Sequence, residues 1–508
     1  MPPTSAIPCS AGATHRPARP RPCHIPGLPR RGARPARPRR PSGAPASSKP
    51  VSRQPVSVKK GRWAHVLTET TSRTSCTARN AADFRVHKSV ALRAMGGTEL
   101  RNFGRSAGAV LAICMLALSA CSSKTTTGTA TPAAGTGTAT PSAGTGAGKT
   151  IALGAVLSLT GAGGIYGPQQ KNGILLAQEE INRNGVNGAK IAVTIADDQS
   201  DKTQGAQQFQ TVIQQGKVVG IIGPTLSNTA VGAHPVADHN RTPVIAPSNT
   251  GNGIVGNCPY SCTYIFRDSL GEASAIPANL KVAAARLHPK TAALAFANDD
   301  KFSSDGAAIF KTALSADNVQ LVDTEQFSKA QTDFSTYATN IIAKKPDIVA
   351  ISGVGGVPSK LIVELRRQRY AGPIVGGNGF NSSSVSMQAG QAGIGAQSGS
   401  AWFLGTTTTV NTNFVAAYKA KYNADPDQFA AQAYTAVYLF ADAARHASLT
   451  FSDVAKDRDA LATALQNVSI DTPLGPFSFT SDHDVHQPIY VVAMDGAGGF
   501  TLVETVQP

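Results

Sequence analysis

Short apolar runs alternate with longer amphipathic stretches from about residue 150 onward. The short runs indicate buried strands, and apolar positions that recur every three or four residues indicate helices. The predicted strands cover residues 151–157, 191–196, 218–222, 243–245, 291–297, 348–351 and 374–375. The predicted helices include residues 169–182, 204–214, 273–287, 304–314, 334–343 and 359–369. Strands that alternate with helices are typical of a parallel sheet with crossover helices, so the predicted fold class is α/β.

The last part of this region follows a different pattern. Residues 477–506 predict short antiparallel strands around a glycine-rich turn at 495–499. About 360 residues of continuous pattern exceed what one hydrophobic core usually organises, so we expect two lobes. The composition marks no linker between them. We therefore expect the chain to cross between the lobes more than once, which leaves a cleft with a hinge.

The net charge of +16 is concentrated in residues 1–94. This segment holds nineteen Lys and Arg against two acidic residues, so residues 95–508 carry about one net negative charge. Residues 1–94 are also rich in Pro, Arg, Ala and Ser, without an apolar period, and such a composition cannot offset chain entropy by burial. We interpret them as a disordered basic segment. Either it is a nucleic-acid-binding arm or, as we favour, an upstream stretch outside the mature protein.

Residues 95–120 have the layout of a lipoprotein signal peptide. Arg101 and Arg105 precede an apolar run at 107–120, and the sequence Leu118-Ser119-Ala120-Cys121 follows the lipoprotein cleavage pattern. Cys121 is thus the predicted site of lipidation, with an uncleaved membrane anchor as the alternative. The Ser-, Thr-, Gly- and Ala-rich remainder of residues 121–149 predicts a flexible tether. We expect an exported protein that a lipid anchors to the outer face of the cell membrane.

Cys258 and Cys262 are the cysteines that remain after this segment. In an exported protein, two cysteines that close a short loop form a disulfide more often than a metal site. Two free thiols are the alternative.

Residues 150–508 resemble the type I periplasmic binding proteins of the leucine, isoleucine and valine receptor kind. The resemblance rests on several segments taken together: residues 151–182 with Asn184-Gly185, the pair Asp197-Asp198, residues 220–224 (GIIGP), residues 243–250 (PVIAPSNT) and Phe266-Arg267.

The resemblance implies two doubly wound, Rossmann-like lobes joined by a three-strand hinge. Lobe 1 is expected at about residues 150–267 and 406–472, and lobe 2 at about 268–405 and 473–508. It also implies a small-molecule ligand, and an ABC permease and ATPase as partners.

The resemblance also implies a ligand site. Ser227, Ser248 and Thr250 match family positions that hold the carboxylate of an amino acid. Local chemistry agrees, since Ser227 falls where a helix starts and the other two follow a strand at its carboxyl end. Tyr166 and Tyr434 match aromatic residues that line the cleft, although both are also suited to a buried core.

The second lobe departs from the family pattern. Asn378 stands where family members that bind amino acids usually have an acidic partner for the ligand's ammonium, and an Asn cannot neutralise that charge. Phe302 with Ser303 replaces the family's Tyr-Gly, and an aromatic expected near residues 353–355 is missing. The expected ligand is an amino acid or a related carboxylate or amide, and these departures favour one other than a standard amino acid.

Other motifs favour no further chemistry. Residues 143–150 satisfy a relaxed phosphate-loop pattern, but a low-complexity tether precedes them and a strand follows, which is the wrong context. Residues 482–486 (DHDVH) could bind a metal but are more typical of a solvated turn. No hydrolase or redox constellation is present, so we expect no enzyme, cofactor, metal or nucleic-acid partner. A transport receptor is favoured over a receptor that signals to a sensor.

Overall fold

The computed structural model describes residues 148–507. The predicted basic segment, signal peptide, lipidation site Cys121 and nearly all of the tether lie outside the described residues. Among the described residues, no helix is both long enough and apolar enough to cross a membrane.

The first sheet is all parallel, with strand order β2-β1-β3-β4-β5. Its strands are β1 (Thr150–Leu157), β2 (Lys190–Asp197), β3 (Gly220–Ile222), β4 (Val244–Ala246) and β5 (Ile265–Arg267). The first three helices of this lobe are α1 (Gly167–Asn184), α2 (Lys202–Gln214) and α3 (Ser227–His239). We call this sheet and its helices lobe 1.

The second sheet is mixed, with strand order β14-β13-β10-β9-β8-β6-β7. Its parallel strands are β6 (Thr291–Ala297), β7 (Gln320–Phe327), β8 (Ile348–Ser352), β9 (Ile374–Gly376) and β10 (Gln397–Ser400). Two antiparallel strands extend it, β13 (Ile489–Met494) and β14 (Phe500–Val506). The helices of this lobe 2 are α4 (Glu272–Leu287), α5 (Lys301–Ala316), α6 (Ser335–Ala343), α7 (Val357–Arg367) and α8 (Ser383–Ala389).

The chain returns to lobe 1 after β10 and adds three helices and a hairpin. These elements are α9 (Thr409–Tyr422), α10 (Gln428–His446), α11 (Val454–Leu465), β11 (Ser469–Thr472) and β12 (Gly475–Ser478). The 3-10 helices Ala162–Ile165, Asn378–Phe380 and Gly390–Gly393 complete the described elements. The chain thus passes between the lobes three times, at residues 268–271, 401–408 and 479–488.

Both faces of each sheet are covered by helices, which explains why central strands such as β6 and β8 are nearly continuous apolar runs. In β6 successive side chains point to opposite faces. Ala293, Ala295 and Ala297 join one buried cluster, and Ala292, Leu294 and Phe296 join another. The doubly wound α/β prediction is confirmed by this architecture and by the structural relatives described below.

Candidate functional site

A small cavity lies at the carboxyl ends of strands from both lobes. The space between its lining atoms is about 270 Å³, part of which is open to solvent. Lobe 1 and lobe 2 both contribute to its lining, which consists of Tyr166, Thr225, Leu226, Ser227, Ser248, Phe302, Val354, Asn378, Gly379 and Phe429. The carboxyl ends of parallel strands are where open α/β sheets bind ligands. Five of the seven predicted ligand-binding residues are in this lining: Tyr166, Ser227, Ser248, Phe302 and Asn378.

The lobe 1 wall carries two buried serine hydroxyls. Ser227 is the first residue of α3, and its Oγ accepts a hydrogen bond from the backbone N–H of Gly251 at 3.2 Å. Ser248 follows β4; its Oγ donates to the carbonyl oxygen of Thr225 and accepts from Gln170 Nε2, at 2.6 and 2.8 Å. The start of α3 adds the positive end of a helix dipole, so this wall suits a carboxylate oxygen.

Tyr166 crosses from lobe 1 to lobe 2. Its hydroxyl accepts a hydrogen bond from the backbone N–H of Gly355 at 3.0 Å and donates to the carbonyl oxygen of Gly379 at 3.1 Å. Its ring stacks on Phe429 of α10, with centroids 4.5 Å apart. Burial raises the pKa of this phenol above its usual value, which keeps it neutral and able to donate. The described conformation is therefore one in which the lobes touch around the cavity.

Gly355 explains why no aromatic side chain occurs in this segment of lobe 2. Its φ is +64°, a conformation that favours glycine, and a Cβ there would lie 2.7 Å from the carbonyl oxygen of Ala162. The backbone of lobe 2 thus approaches lobe 1 directly.

The lobe 2 wall centres on Asn378. Its Oδ1 accepts a hydrogen bond from Gln428 Nε2 of α10 at 2.6 Å, and its backbone N–H donates to Glu272 Oε1 at 2.7 Å. Phe302, at the start of α5, is 4% exposed and supplies an apolar surface. Asn378 therefore lines the cavity as predicted, but its amide oxygen is already engaged by the other lobe.

Glu272, the first residue of α4, is a buried acid that the sequence analysis missed. Its Oε1 also accepts from the hydroxyl of Thr250 at 3.4 Å, and its buried Oε2 has no hydrogen-bond partner among the described residues. Burial raises the pKa of this carboxyl to about 7. The sequence did contain one indication of this acid, because Glu272 directly precedes the predicted helix 273–287.

Two predicted residues fall outside the cavity lining. Thr250 is buried, and its hydroxyl donates a hydrogen bond to Glu272 Oε1. Tyr434 follows the core alternative left open for it: it packs in the lobe 1 core against Phe414, and its hydroxyl donates to Glu180 Oε2 at 2.6 Å. Its helix, α10, presents Phe429 to the cavity instead. The family match therefore identified the helix but not the residue.

Further hydrogen bonds join the lobes around this site. Asp427 Oδ2, at the start of α10, accepts from the backbone N–H and the hydroxyl of Ser383 in lobe 2, at 3.2 and 3.4 Å. Ser382 Oγ donates to the carbonyl oxygen of Ile165 at 3.2 Å. Helix α8 of lobe 2 is thus held to lobe 1 by two neighbouring serines.

A second, larger cavity of about 1100 Å³ lies between the lobes. It contains none of the predicted ligand-binding residues. Gln428 lines it and also donates to Asn378, so a buried amide contact connects the two cavities. The smaller cavity is the candidate site because it brings together the predicted residues.

The two cysteines and the DHDVH segment have structural roles here. Cys258 and Cys262 are joined, with their sulfur atoms 2.09 Å apart. In the DHDVH segment, Asp484 pairs with Arg267 at 2.5 Å and His483 stacks on Phe266 with centroids 4.0 Å apart. Within residues 148–507, no group of three or more His, Cys, Asp or Glu is arranged to hold a metal ion.

Comparisons with known proteins agree with this geometry. A family model described as a periplasmic binding protein matches residues 150–499. The Leu/Ile/Val-binding protein BraC3 of Rhizobium johnstonii is 26% identical over 359 residues, which covers 70% of this chain and 94% of that protein. BasB of Halobacterium salinarum, a substrate-binding protein of a chemotactic signal transduction system, is 25% identical over 329 residues. This match covers 64% of this chain and 75% of BasB.

Solved structures give the same result. LivJ, a branched-chain amino acid transporter substrate-binding protein of Streptococcus pneumoniae solved with isoleucine, has a TM-score of 0.65 and 27% identity, and covers 71% of this chain and 100% of its own. A solute-binding protein of an R. palustris ABC transporter was solved with benzoate and has a TM-score of 0.64 and 23% identity. The match covers 71% of this chain and 97% of that protein.

These relatives are substrate-binding proteins and not enzymes, and their family implies a location outside the cytoplasm. The chain belongs to the periplasmic binding protein family, as a type I member of the branched-chain amino acid group.

Proposed function

We propose that this protein captures a small amino-acid-like ligand between its lobes and delivers it to an ABC importer. The observation that carries the proposal is the cavity itself. Two hydroxyls at strand ends of lobe 1, on Ser227 and Ser248, line this cavity together with Asn378 of lobe 2. Few, convergent polar groups in an otherwise apolar pocket are typical of small-molecule sites.

In this scheme the lobe 1 wall holds the ligand's carboxylate. The hydroxyl of Ser227 and the dipole of α3 stabilise the negative charge, while Tyr166 and Phe429 cover the apolar part. Closure then forms the contacts of Tyr166 with Gly355 and Gly379, which bury the ligand. A permease can sense such a hinge motion because the closed form presents both lobes in one fixed arrangement.

A thermal-shift screen of the full-length protein tests this proposal. The panel contains branched-chain amino acids, other amino acids and amides, and benzoates. A ligand at one hundred times its Kd stabilises the folded state by about 2.7 kcal/mol, which gives a clear shift of the melting temperature. The proposal predicts that at least one amino acid or related carboxylate produces this shift. If no member of the panel does, the assigned ligand class is wrong.

Transport and signalling remain two uses of the same binding event. The similarity to BasB favours signalling as the second candidate. Deletion of the gene distinguishes transport from signalling, when uptake of the ligand and the behavioural response to it are both measured. Transport predicts lost uptake of the labelled ligand, whereas signalling predicts unchanged uptake and a lost behavioural response to it.

We also propose that Cys121 carries a lipid and that residues 122–149 tether the binding module to the outer face of the membrane. The proposal rests on the cleavage pattern before Cys121 and on the low-complexity composition after it.

A further inference from the structure

The larger of the two cavities between the lobes has a lining unlike that of the candidate ligand site. The space between its lining atoms is about 1100 Å³, part of which is open to solvent. Three parts of the chain supply most of the lining: residues 402–404 of the second crossing, the segment 424–428 of lobe 1, and α8 with the turn 495–499 of lobe 2. We call it the hinge cavity. An occupant would contact both lobes and a crossing at once.

Large apolar side chains form much of this lining. Trp402 and Phe403 come from the second crossing, Met387 from α8, and Phe500 from the start of β14. Met387 is 56% exposed, and the two phenylalanines are partly exposed. Gly498 has a φ of +102°, and a Cβ there would lie 2.8 Å from Met387 Cγ, so its turn packs closely against α8. The cavity thus offers an aromatic and apolar surface to a hydrophobic body.

The charged side chains of the hinge cavity are all acidic. Asp425, Asp427 and Asp495 line it, and no Lys, Arg or His of the described chain does. Asp425 pairs with Lys419 at 2.9 Å. Within residues 148–507, Asp427 and Asp495 form no ion pair. Two carboxylates therefore face the cavity without a cation beside them.

Asp427 is the buried member of this pair. It is 2% exposed and caps α10, where its Oδ1 accepts from the backbone N–H of Ala430 at 3.1 Å. Its Oδ2 accepts from Ser383 only through long contacts, at 3.2 and 3.4 Å. Burial raises the pKa of this carboxyl to about 6, and no cation of the described chain offsets the effect. The carboxylate is thus charged at neutral pH and poorly compensated, which favours a cationic partner.

An organic cation suits this lining better than a metal ion or an anion does. A metal ion needs several ligand atoms close together, and the described residues place no three His, Cys, Asp or Glu in such a group. An anion would meet two unpaired carboxylates. An ammonium group, in contrast, is attracted both by carboxylates and by the faces of aromatic rings, and the apolar lining can cover the body that carries it.

We propose that the hinge cavity is a second binding site, which takes a small organic cation with an aromatic or apolar body. The ammonium group pairs with Asp427 and Asp495, and the body packs on the aromatic and apolar side chains of the lining. This site lies beside the candidate ligand cavity, since Gln428 lines the hinge cavity and donates to Asn378 of the smaller one. The inference goes beyond the proposed function and does not depend on which ligand fills the smaller cavity.

Trp402 gives the experiment a direct reporter. The chain contains two tryptophans, Trp63 in the basic segment and Trp402 in the lining of the hinge cavity. In the full-length Trp63→Phe protein, all tryptophan fluorescence therefore arises at this cavity. Phenethylamine is the probe, and 2-phenylethanol is its matched control because it has the same skeleton with a neutral hydroxyl in place of the ammonium.

We expect phenethylamine to change the Trp402 emission saturably, with a Kd below about 10 mM for a ligand of this size. The control 2-phenylethanol should bind about tenfold more weakly or worse, because hydrogen bonds to charged groups are the stronger ones.

Two variants remove the charges and keep an oxygen for the backbone contacts. Asp427→Asn should weaken phenethylamine binding by about tenfold or more, and the exposed Asp495→Asn by about two- to fivefold. Asp317→Asn is the control, since Asp317 is an exposed acid that does not line the cavity, and it should bind like the parent protein. Melting temperatures show whether each variant folds. If Asp427→Asn does not fold, Asp495→Asn and Met387→Ser decide, and the latter should weaken binding by about threefold or more.

Four results would overturn the proposal. The first is an unchanged Trp402 emission across the phenethylamine titration, and the second is equally tight binding of 2-phenylethanol. The third is parent-like binding by both Asp495→Asn and Met387→Ser. The fourth is weakened binding in Asp317→Asn to the same degree as in Asp495→Asn, which would indicate a general effect of charge. None of these results concerns the smaller cavity, so the proposed function stands or falls separately.

Discussion

The hydroxyl of Tyr166 in lobe 1 donates a hydrogen bond to the carbonyl oxygen of Gly379 in lobe 2, at 3.1 Å. The same oxygen atom accepts from the backbone N–H of Gly355. One side chain therefore makes two contacts to the opposite lobe at the edge of the cavity. These contacts exist only when the lobes are together, so they favour closure and not merely folding.

Tyr166→Phe should weaken ligand binding by about 1–3 kcal/mol, because the backbone groups of Gly355 and Gly379 lose their partner in the closed form. Calorimetry with the best ligand of the screen measures the change. Tyr438→Phe is the matched control, since the Tyr438 hydroxyl also donates a hydrogen bond, to Glu180, but away from the cavity. Equal affinities of the two variants would mean that Tyr166 has no special part in closure.

Stability should fall as pH rises from about 4.5 to 7. Burial raises the pKa of Glu272 to about 7 and of Asp198 and Asp427 to about 6, so the folded state holds protons that the unfolded state has released. The stabilisation is complete below the ordinary carboxyl pKa and is lost as pH rises through the raised values.

Between pH 4.5 and 7, Glu272→Gln should reduce the loss of unfolding free energy by roughly 1–3 kcal/mol. Denaturant unfolding of the unliganded protein at several pH values measures the slope. The exposed Glu504→Gln serves as the control and should leave the slope unchanged. Burial lowers the pKa of His234 to about 4, so this one group acts in the opposite direction between about pH 4 and 6.5. A wild type that becomes more stable over the whole range would contradict raised pKa values for the three acids.

The pair Cys258 and Cys262 should be found as a disulfide in protein purified without reductant. Non-reducing peptide mapping detects it directly. The loop is short, so its removal should cost only about 2 kcal/mol of stability by the chain-entropy model. Complete alkylation of both thiols without prior reduction would show that they are free.

Lipidation predicts that Cys121→Ala releases the protein from the membrane fraction. The wild type should partition into detergent, and its intact mass should correspond to a diacylated chain that starts at Cys121. Peptides from residues 1–94 recovered from membrane-extracted protein would contradict the predicted start of the mature chain. Retention of Cys121→Ala in the membrane would contradict the anchor.

The apolar pattern was sufficient for most of the fold. The predicted strand 151–157 corresponds to Thr150–Leu157, and the predicted helix 273–287 to Glu272–Leu287. Four strands were missed, namely β5, β7, β10 and β11. Two of them, β10 and β7, were missed for physical reasons. Strand β10 (QSGS) has no apolar side chain and is recognisable only by its place beside β9. Strand β7 (QLVDTEQF) lies at a sheet edge and has four consecutive polar residues, so it shows neither an apolar run nor an alternating pattern.

The site was predictable where chemistry is local to a strand end. The resemblance, together with their place at strand ends, predicted Ser227 and Ser248 for the site, and both line the cavity. Phe429 and Glu272 were missed because their role depends on which face of a helix meets the other lobe. Tertiary packing determines which face of a helix meets the other lobe, and the sequence pattern does not show it. On α10, for example, Phe429 lines the cavity and Tyr434 packs in the core.

Calorimetric titration of wild type and Ser227→Ala with isoleucine tests the central claim most directly. The account predicts one site per chain in the wild type, and binding weaker by about 1–3 kcal/mol in Ser227→Ala, because a ligand carboxylate oxygen loses its hydroxyl donor in a buried site. The exposed Ser452→Ala should bind like the wild type. If Ser227→Ala also binds like the wild type, the ligand does not occupy the cavity between Ser227 and Asn378.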